Sequence, residues 1–296
     1  MTLLRERGFR NFWLATSVSL LGDQIALLAL LVVAVAMAAL MVSRGVSGTV
    51  SDASGIQQQA AYGMRLIGLQ LRQGGSLYLN PGPAKAASAA LDAADPVAFE
   101  TKVTGPTSGN SFDPATDTLS GTANTLTVAY RRYEDPVFTS TATQSPSRNC
   151  VNGPADGSGL VRVESAFFLN GTDLMCDGDG VGTGAPSQPV LQNVANFQVR
   201  YLLQDVTTTP GNPQLRYLDA AAVGSTDWPR IQGVEVCLVL YGAEAIDLPS
   251  GSTYTDCDGI TKVDMSALTG PRAKRMHLAF RNVFQVRSQG LVGSAM

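Results

Sequence analysis

Four cysteines and one imidazole bound the chemistry open to this chain. The cysteines are Cys150, Cys176, Cys237 and Cys257, and the sole histidine is His277. No two cysteines form a C-x-x-C pair, so neither a zinc knuckle nor a thioredoxin-like centre is indicated. One histidine excludes a His-pair metal site within the chain, and a Ser-His-Asp triad would have to be built on that residue. An even cysteine count in an oxidising compartment reads as disulfides. Of the possible connectivities, Cys150–Cys176 with Cys237–Cys257 is favoured because each pair brackets a local excursion; buried free thiols are the alternative. Each closed loop would contribute about 3 kcal/mol in the loop-entropy treatment.

Other residues suggest chemistry less strongly. Gly178, Gly180, Gly182 and Gly184 follow Cys176 at alternate positions. A phosphate-cradling loop needs a strand before it and a helix after it. Pro186 and Pro189 follow instead, which favours a plain loop. Asp177 and Asp179, and likewise Asp256 and Asp258, are paired carboxylates. An EF-type calcium loop beginning at Asp177 would require Glu at its twelfth position, where this chain has Gln188. Turn chemistry accounts for Asp-Gly better. Asn170-Gly171-Thr172 matches a glycosylation sequon, but the same residues make a tight hairpin turn. No cofactor and no metal is expected.

The elements that would hold these residues begin with an apolar stretch. The chain has 296 residues, of which 45% are hydrophobic and only 15% charged; about 25% charged is usual. Its length suggests one or two domains. A net charge of −3 offers no basic field for nucleic acid, so none is expected as a partner. Between Arg10 and Arg44 the only charge is Asp23, and residues 25–43 form an uninterrupted run of 19. About 20 residues span a hydrocarbon core as a helix, and a secretory h-region is shorter. Arg5, Arg7 and Arg10 precede the run, which puts the N-terminus in the cytoplasm and the chain beyond about residue 45 across the membrane. Asp23 is the costliest residue there: either a paired or functional intramembrane acid, or an interfacial residue preceding the span.

A second helical pattern follows. Ile56, Ala60, Met64, Ile67 and Leu71 share one face, with Gln57, Gln58, Gln59, Arg65, Gln70 and Arg72 largely off it. Gly74-Gly75 supplies a stop. Joined from residue 12 to 73, the two helices would form a rod of about 90 Å; Gly45 and Gly48 would instead loosen the junction. Residues 80–118 read as a long connection with one short helix near 86–93. Strand patterns then dominate: around Leu126, Val128 and Tyr130, through 160–169, and at 197–203, 214–218, 233–241 and 276–287. The expected class is α+β, a long N-terminal helix followed by a mainly antiparallel β domain. Its divisions are a basic leader-like segment (1–11), a transmembrane helix (12–43), an amphipathic helix (44–75) and a periplasmic β-rich domain (76–296).

Five segments carry a resemblance: 31–44 (LVVAVAMAALMVSR), 57–73 (QQQAAYGMRLIGLQLRQ), 193–201 (NVANFQVRY), 234–241 (VEVCLVLY) and 275–284 (RMHLAFRNVF). In this order they resemble PilW-type minor pilins, over roughly residues 31–292. The resemblance implies a pilin-like fold and a non-enzymatic type IV pilus assembly protein. Such a protein is an inner-membrane prepilin with a periplasmic β domain. Its partners would be other minor pilins and assembly components, with a tip adhesin beyond them. Prepilin leaders are basic and end in Gly then Phe, which Arg5, Arg7, Gly8 and Phe9 match. The family's fifth mature residue is Glu, which neutralises a neighbour's N-terminal amine; here that position is Trp13, and Asp23 lies ten residues further on. Residues 4–14 and 21–27 also resemble the first helix of a major facilitator transporter, as though that segment had been placed on a pilin body. A type II secretion pseudopilin shares the architecture. A membrane-tethered periplasmic hydrolase or sugar-binding module would instead need convergent acids, with Asp177 and Glu235 as candidates.

Overall fold

The computed structural model describes residues 7–74, 78–79, 97–98, 102–107, 109–139, 141, 143–178, 187–205 and 214–286. Helix α1 occupies Arg7–Gln73, 67 residues. Leu and Ala dominate its first half, both strong helix formers. The backbone remains helical at Gly45 and Gly48, so the loosened junction is not observed. Gly74 ends the helix, its N–H donating to Gln70 O at 3.0 Å. The chain divides into two compact units, Met1–Asp52 and Ala53–Met296.

The first unit contains the apolar segment Arg7–Met41, whose most apolar window is entirely unburied. By length and composition this segment can cross a membrane. The Thr16 hydroxyl donates to Phe12 O at 2.9 Å and the Ser17 hydroxyl to Trp13 O at 2.8 Å. Turned back on the helix in this way, both polar groups are satisfied without a solvent partner.

The second unit contains the end of α1 and all described strands. In chain order these are β1 (Tyr78–Leu79), β2 (Val97–Ala98), β3 (Leu119–Thr122), β4 (Thr125–Arg131), β5 (Asp135–Pro136), β6 (Thr143–Gln144), β7 (Arg162–Asn170) and β8 (Asp173–Gly178). Then come β9 (Gln188–Leu191), β10 (Val194–Asp205), β11 (Gln214–Asp219), β12 (Ile231–Tyr241), β13 (Thr253–Thr255), β14 (Lys262–Asp264) and β15 (His277–Gln285). A five-stranded sheet has the order β3-β4-β7-β8-β9 and a four-stranded sheet the order β11-β10-β12-β15. Among the described residues every strand pairing is antiparallel. The fold is therefore α+β, a long apolar N-terminal helix with a mostly antiparallel sheet domain.

Period-two alternation builds the core. Phe197, Val199, Tyr201 and Leu203 of β10 join Val234, Val236, Leu238 and Leu240 of β12, all buried in one cluster. Leu126 and Val128 of β4, Phe167 of β7 and Leu174 of β8 belong to the same cluster, as do Ile56, Ala60, Met64, Ile67 and Leu71 of α1. Two glycines let the helix come close. A Cβ at Gly63 would stand 2.4 Å from Leu191 Cδ1, and one at Gly68 would stand 2.5 Å from Phe284 Cε1. At the β7–β8 turn Gly171 has φ 61°, a conformation glycine adopts without strain. Strands β3 and β9 were not expected. Pro189 within β9 is tolerated because β9 is an edge strand. The short helix expected near 86–93 lies outside the described residues.

Candidate functional site

Gly8, Phe9, Trp13 and Asp23 all lie on α1, where Phe9, Trp13 and Asp23 are solvent-exposed. A helix that is apolar all round requires a nonaqueous or protein environment to cover it.

In the second unit the cysteines form two bridges. Cys150 is bonded to Cys176 with Cα atoms 6.3 Å apart, and Cys237 to Cys257 at 5.6 Å. The first ties the loop before β7 to strand β8. The second fastens the turn between β13 and β14 to the centre of β12, where Cys237, Val239, Tyr254 and Cys257 form a small buried cluster of their own.

The paired carboxylates serve the backbone. Asp258 accepts from the Thr261 hydroxyl and from the N–H groups of Ile260 and Thr261, at 2.9 and 2.8 Å. The hydroxyl bond first, then the two amides, hold its carboxyl below the usual range. Asp256 accepts from Asn196 Nδ2 at 2.8 Å and from the Cys257 N–H at 2.7 Å. Asp177 is an exposed residue of β8, and Asp179 with the rest of the glycine run lies outside the described residues. Glu235 is only 8% exposed. It lies 3.7 Å from Arg200 Nη1 and 3.7 Å from Arg281 Nε, an ion-paired carboxylate on the face of the four-stranded sheet. Asp177 and Glu235 stand on strands of different sheets, so the structure does not assemble them into one acid pair. Among the described residues no group of three or more His, Cys, Asp or Glu side chains converges.

Two buried polar knots escaped the sequence reading. Gln70 of α1 accepts at Oε1 from the Tyr130 hydroxyl at 3.2 Å and the Ser165 hydroxyl at 3.0 Å, and donates to Arg148 O at 3.1 Å. Ser165 Oγ in turn accepts from the Cys150 N–H at 3.1 Å. The network thus joins the helix, β4, β7 and the disulfide-bonded loop. Arg132 is buried just after β4, with Nη1 2.9 Å from Glu134 and donating to Ser158 Oγ at 2.8 Å, and Nη2 donating to Ala155 O at 3.0 Å. By its spacing Gln70 falls largely off the apolar face, yet it is buried, and nothing in the local sequence distinguishes Arg132 from a surface arginine.

Residues 161–288, from β7 to just past β15, match the family model described as Type IV Pilus-assembly protein W. Among solved structures, a type IV-like pilin from Thermus thermophilus aligns at 16% identity. That alignment covers 57% of this chain and 81% of the other, with a TM-score of 0.29, too low to carry weight in the assignment. No curated protein matches. Residues 161–288, somewhat less than half of the chain, thus match this pilus-assembly family model, in a chain with an apolar N-terminal helix and an antiparallel sheet domain.

Proposed function

We propose that this chain is a minor pilin-like structural and assembly protein of the type IV pilus, anchored in the inner membrane by α1 before incorporation. The observation that carries this reading is the family match over 161–288 in a chain whose helix α1 exposes Arg7–Met41 and buries Ile56, Ala60, Met64, Ile67 and Leu71. The N-terminus is cytoplasmic and the β domain periplasmic, as the Arg5, Arg7 and Arg10 bias favours. The protein acts by contact, not by catalysis. Ala34, Ala36, Ala38 and Ala39 allow close lateral helix packing in the membrane, and the disulfide-bonded domain meets other minor pilins and, through them, a tip adhesin.

Gly8 and Phe9 form the cleavage junction of a prepilin leader, and Asp23 is the acid retained at membrane depth. Intact mass and N-terminal sequencing of protein extracted from membranes of a host with a prepilin peptidase test this. Loss of residues 1–8 with a methylated Phe9 is expected. A chain still beginning at Met1 would overturn the prepilin assignment and leave a pilin-like domain on an unprocessed anchor.

A further inference from the structure

The segment between β12 and β15 is fastened to the four-stranded sheet at several points. Around Cys257 these are the Cys237–Cys257 bridge, Asn196 Nδ2 donating to Asp256 at 2.8 Å and Arg281 Nη2 donating to Cys257 O at 2.6 Å. Further along the segment the fastening is His277, the first residue of β15 and only 2% exposed. Its ring stacks on that of Tyr254, with centroids 5.0 Å apart and planes 4° from parallel, and lies 5.6 Å from the Tyr241 ring. Nδ1 is 2.9 Å from Arg275 O, a carbonyl that only accepts, so Nδ1 carries the proton. Nε2 is 3.3 Å from Arg272 Nε, a group that only donates, so Nε2 presents its lone pair. Arg272 also donates through Nη2 to the Tyr254 hydroxyl at 2.9 Å. Both nitrogens are committed, and the ring is fixed as one neutral tautomer. A second proton would set N–H against N–H beside a guanidinium.

The charged and titratable groups around the ring are few. Arg272 faces it from the Gly270–Arg272 turn, Tyr254 from β13 and Tyr241 from β12. Arg275, two residues before it, presents its carbonyl, while its guanidinium is bound to the carbonyls of Gly242 and Ala243. None of these groups stabilises a cation by opposite charge.

We propose that His277 is an acid-sensitive latch: protonation at Nε2 breaks the Arg272 contact and frees residues 265–276 from β15, while Cys237–Cys257 keeps the β13–β14 turn tethered. Burial, reinforced by the Arg272 charge and only partly offset by the bond to Arg275 O, holds the imidazole below its ordinary value. The closed form therefore binds fewer protons than the open form, and acid favours opening. The latch is fully effective above the ordinary imidazole value, about pH 6.5. Between there and the depressed value, the opening constant rises about tenfold per pH unit.

The full chain in detergent micelles permits a direct test, because its single histidine gives one imidazole signal. NMR titration of that signal is paired with hydrogen exchange on peptides covering 242–276, using 194–205 as reference. The ring is expected to titrate below the ordinary range. Protection over 265–276 should fall about tenfold per pH unit beneath about pH 6.5, with the reference unchanged. The variant His277→Gln, which keeps a donor and an acceptor, should show no such pH dependence. In Arg272→Gln, which removes the facing cation, the imidazole should titrate higher, a readout that stands even if His277→Gln does not fold. An imidazole titrating at or above the ordinary value would overturn the latch, as would the same acid opening in His277→Gln.

Discussion

Glycines in the second half of α1 have opposite meanings depending on what each one faces. Nothing lies within 4 Å of a Cβ built on Gly55, whereas one on Gly68 would collide with the Phe284 ring. Gly55→Ala should therefore stabilise the fold by about 0.5–1 kcal/mol through helix propensity alone. Gly68→Ala gains the same propensity, but the ring must move in a packed core, so a net loss of about 1–2 kcal/mol is expected. Urea midpoints of the two variants in micelles should shift in opposite directions; a shared upward shift would mean that the helix does not rest on Phe284. Gln70 makes a second case at this scale. Replacing it by Leu removes the acceptor shared by Ser165 and Tyr130, although Tyr130 keeps Arg148 O at 2.9 Å. A cost of about 1–3 kcal/mol is expected. A double-mutant cycle with Ser165→Ala should show coupling between the two sites, since they share one hydrogen bond. Strict additivity would mean that the network does not act as a unit.

Among the elements, the two disulfides differ in what surrounds them. Cys176 belongs to the main core cluster, while Cys237 and Cys257 belong to the small cluster beneath β13 and β14. Non-reducing peptide mapping should link residue 150 to 176 and 237 to 257. Each pairwise Cys→Ser replacement should cost about 3–4 kcal/mol in the loop-entropy treatment. Only loss of Cys237–Cys257 should raise exchange selectively across β13 and β14, because three-residue strands bury too little to hold themselves. These strands illustrate what a single sequence conceals. Leu126, Val128 and Tyr130 alternate within one local window, and Ile56 to Leu71 repeat at helical spacing; both patterns appear in the structure with those side chains buried. Strands β13 and β14 have no such pattern, being held by a bridge to a residue some twenty positions away. Strand β9 contains a proline, and its edge position follows only from sheet order. His277 was legible as the sole imidazole, but its two committed nitrogens depend on Arg272 and Arg275 in a turn with no strong local signal.

For the whole molecule, the two units make opposite demands on their surroundings. The first exposes Phe12, Trp13, Leu20, Leu21, Ile25, Leu27 and many further apolar side chains with no buried window to compensate. Water is a poor environment for such a helix, since each exposed apolar side chain forgoes about 1.5–3 kcal/mol of burial. The second unit has its own core, drawn from α1 and both large sheets, and its burial does not depend on the apolar segment. Removing the first unit should therefore change where the protein resides without changing how its β domain folds. Expressed with a periplasmic export signal, residues 53–296 should be soluble, unfold cooperatively and keep a near-ultraviolet circular dichroism spectrum typical of fixed aromatic side chains. The full chain should instead resist carbonate extraction from membranes. Release of the full chain by carbonate would count against α1 as an anchor. A soluble but unstructured 53–296 fragment would be a different failure, showing that the end of α1 cannot complete the core without the helix that precedes it. The two results are separable because one reads partition and the other reads packing.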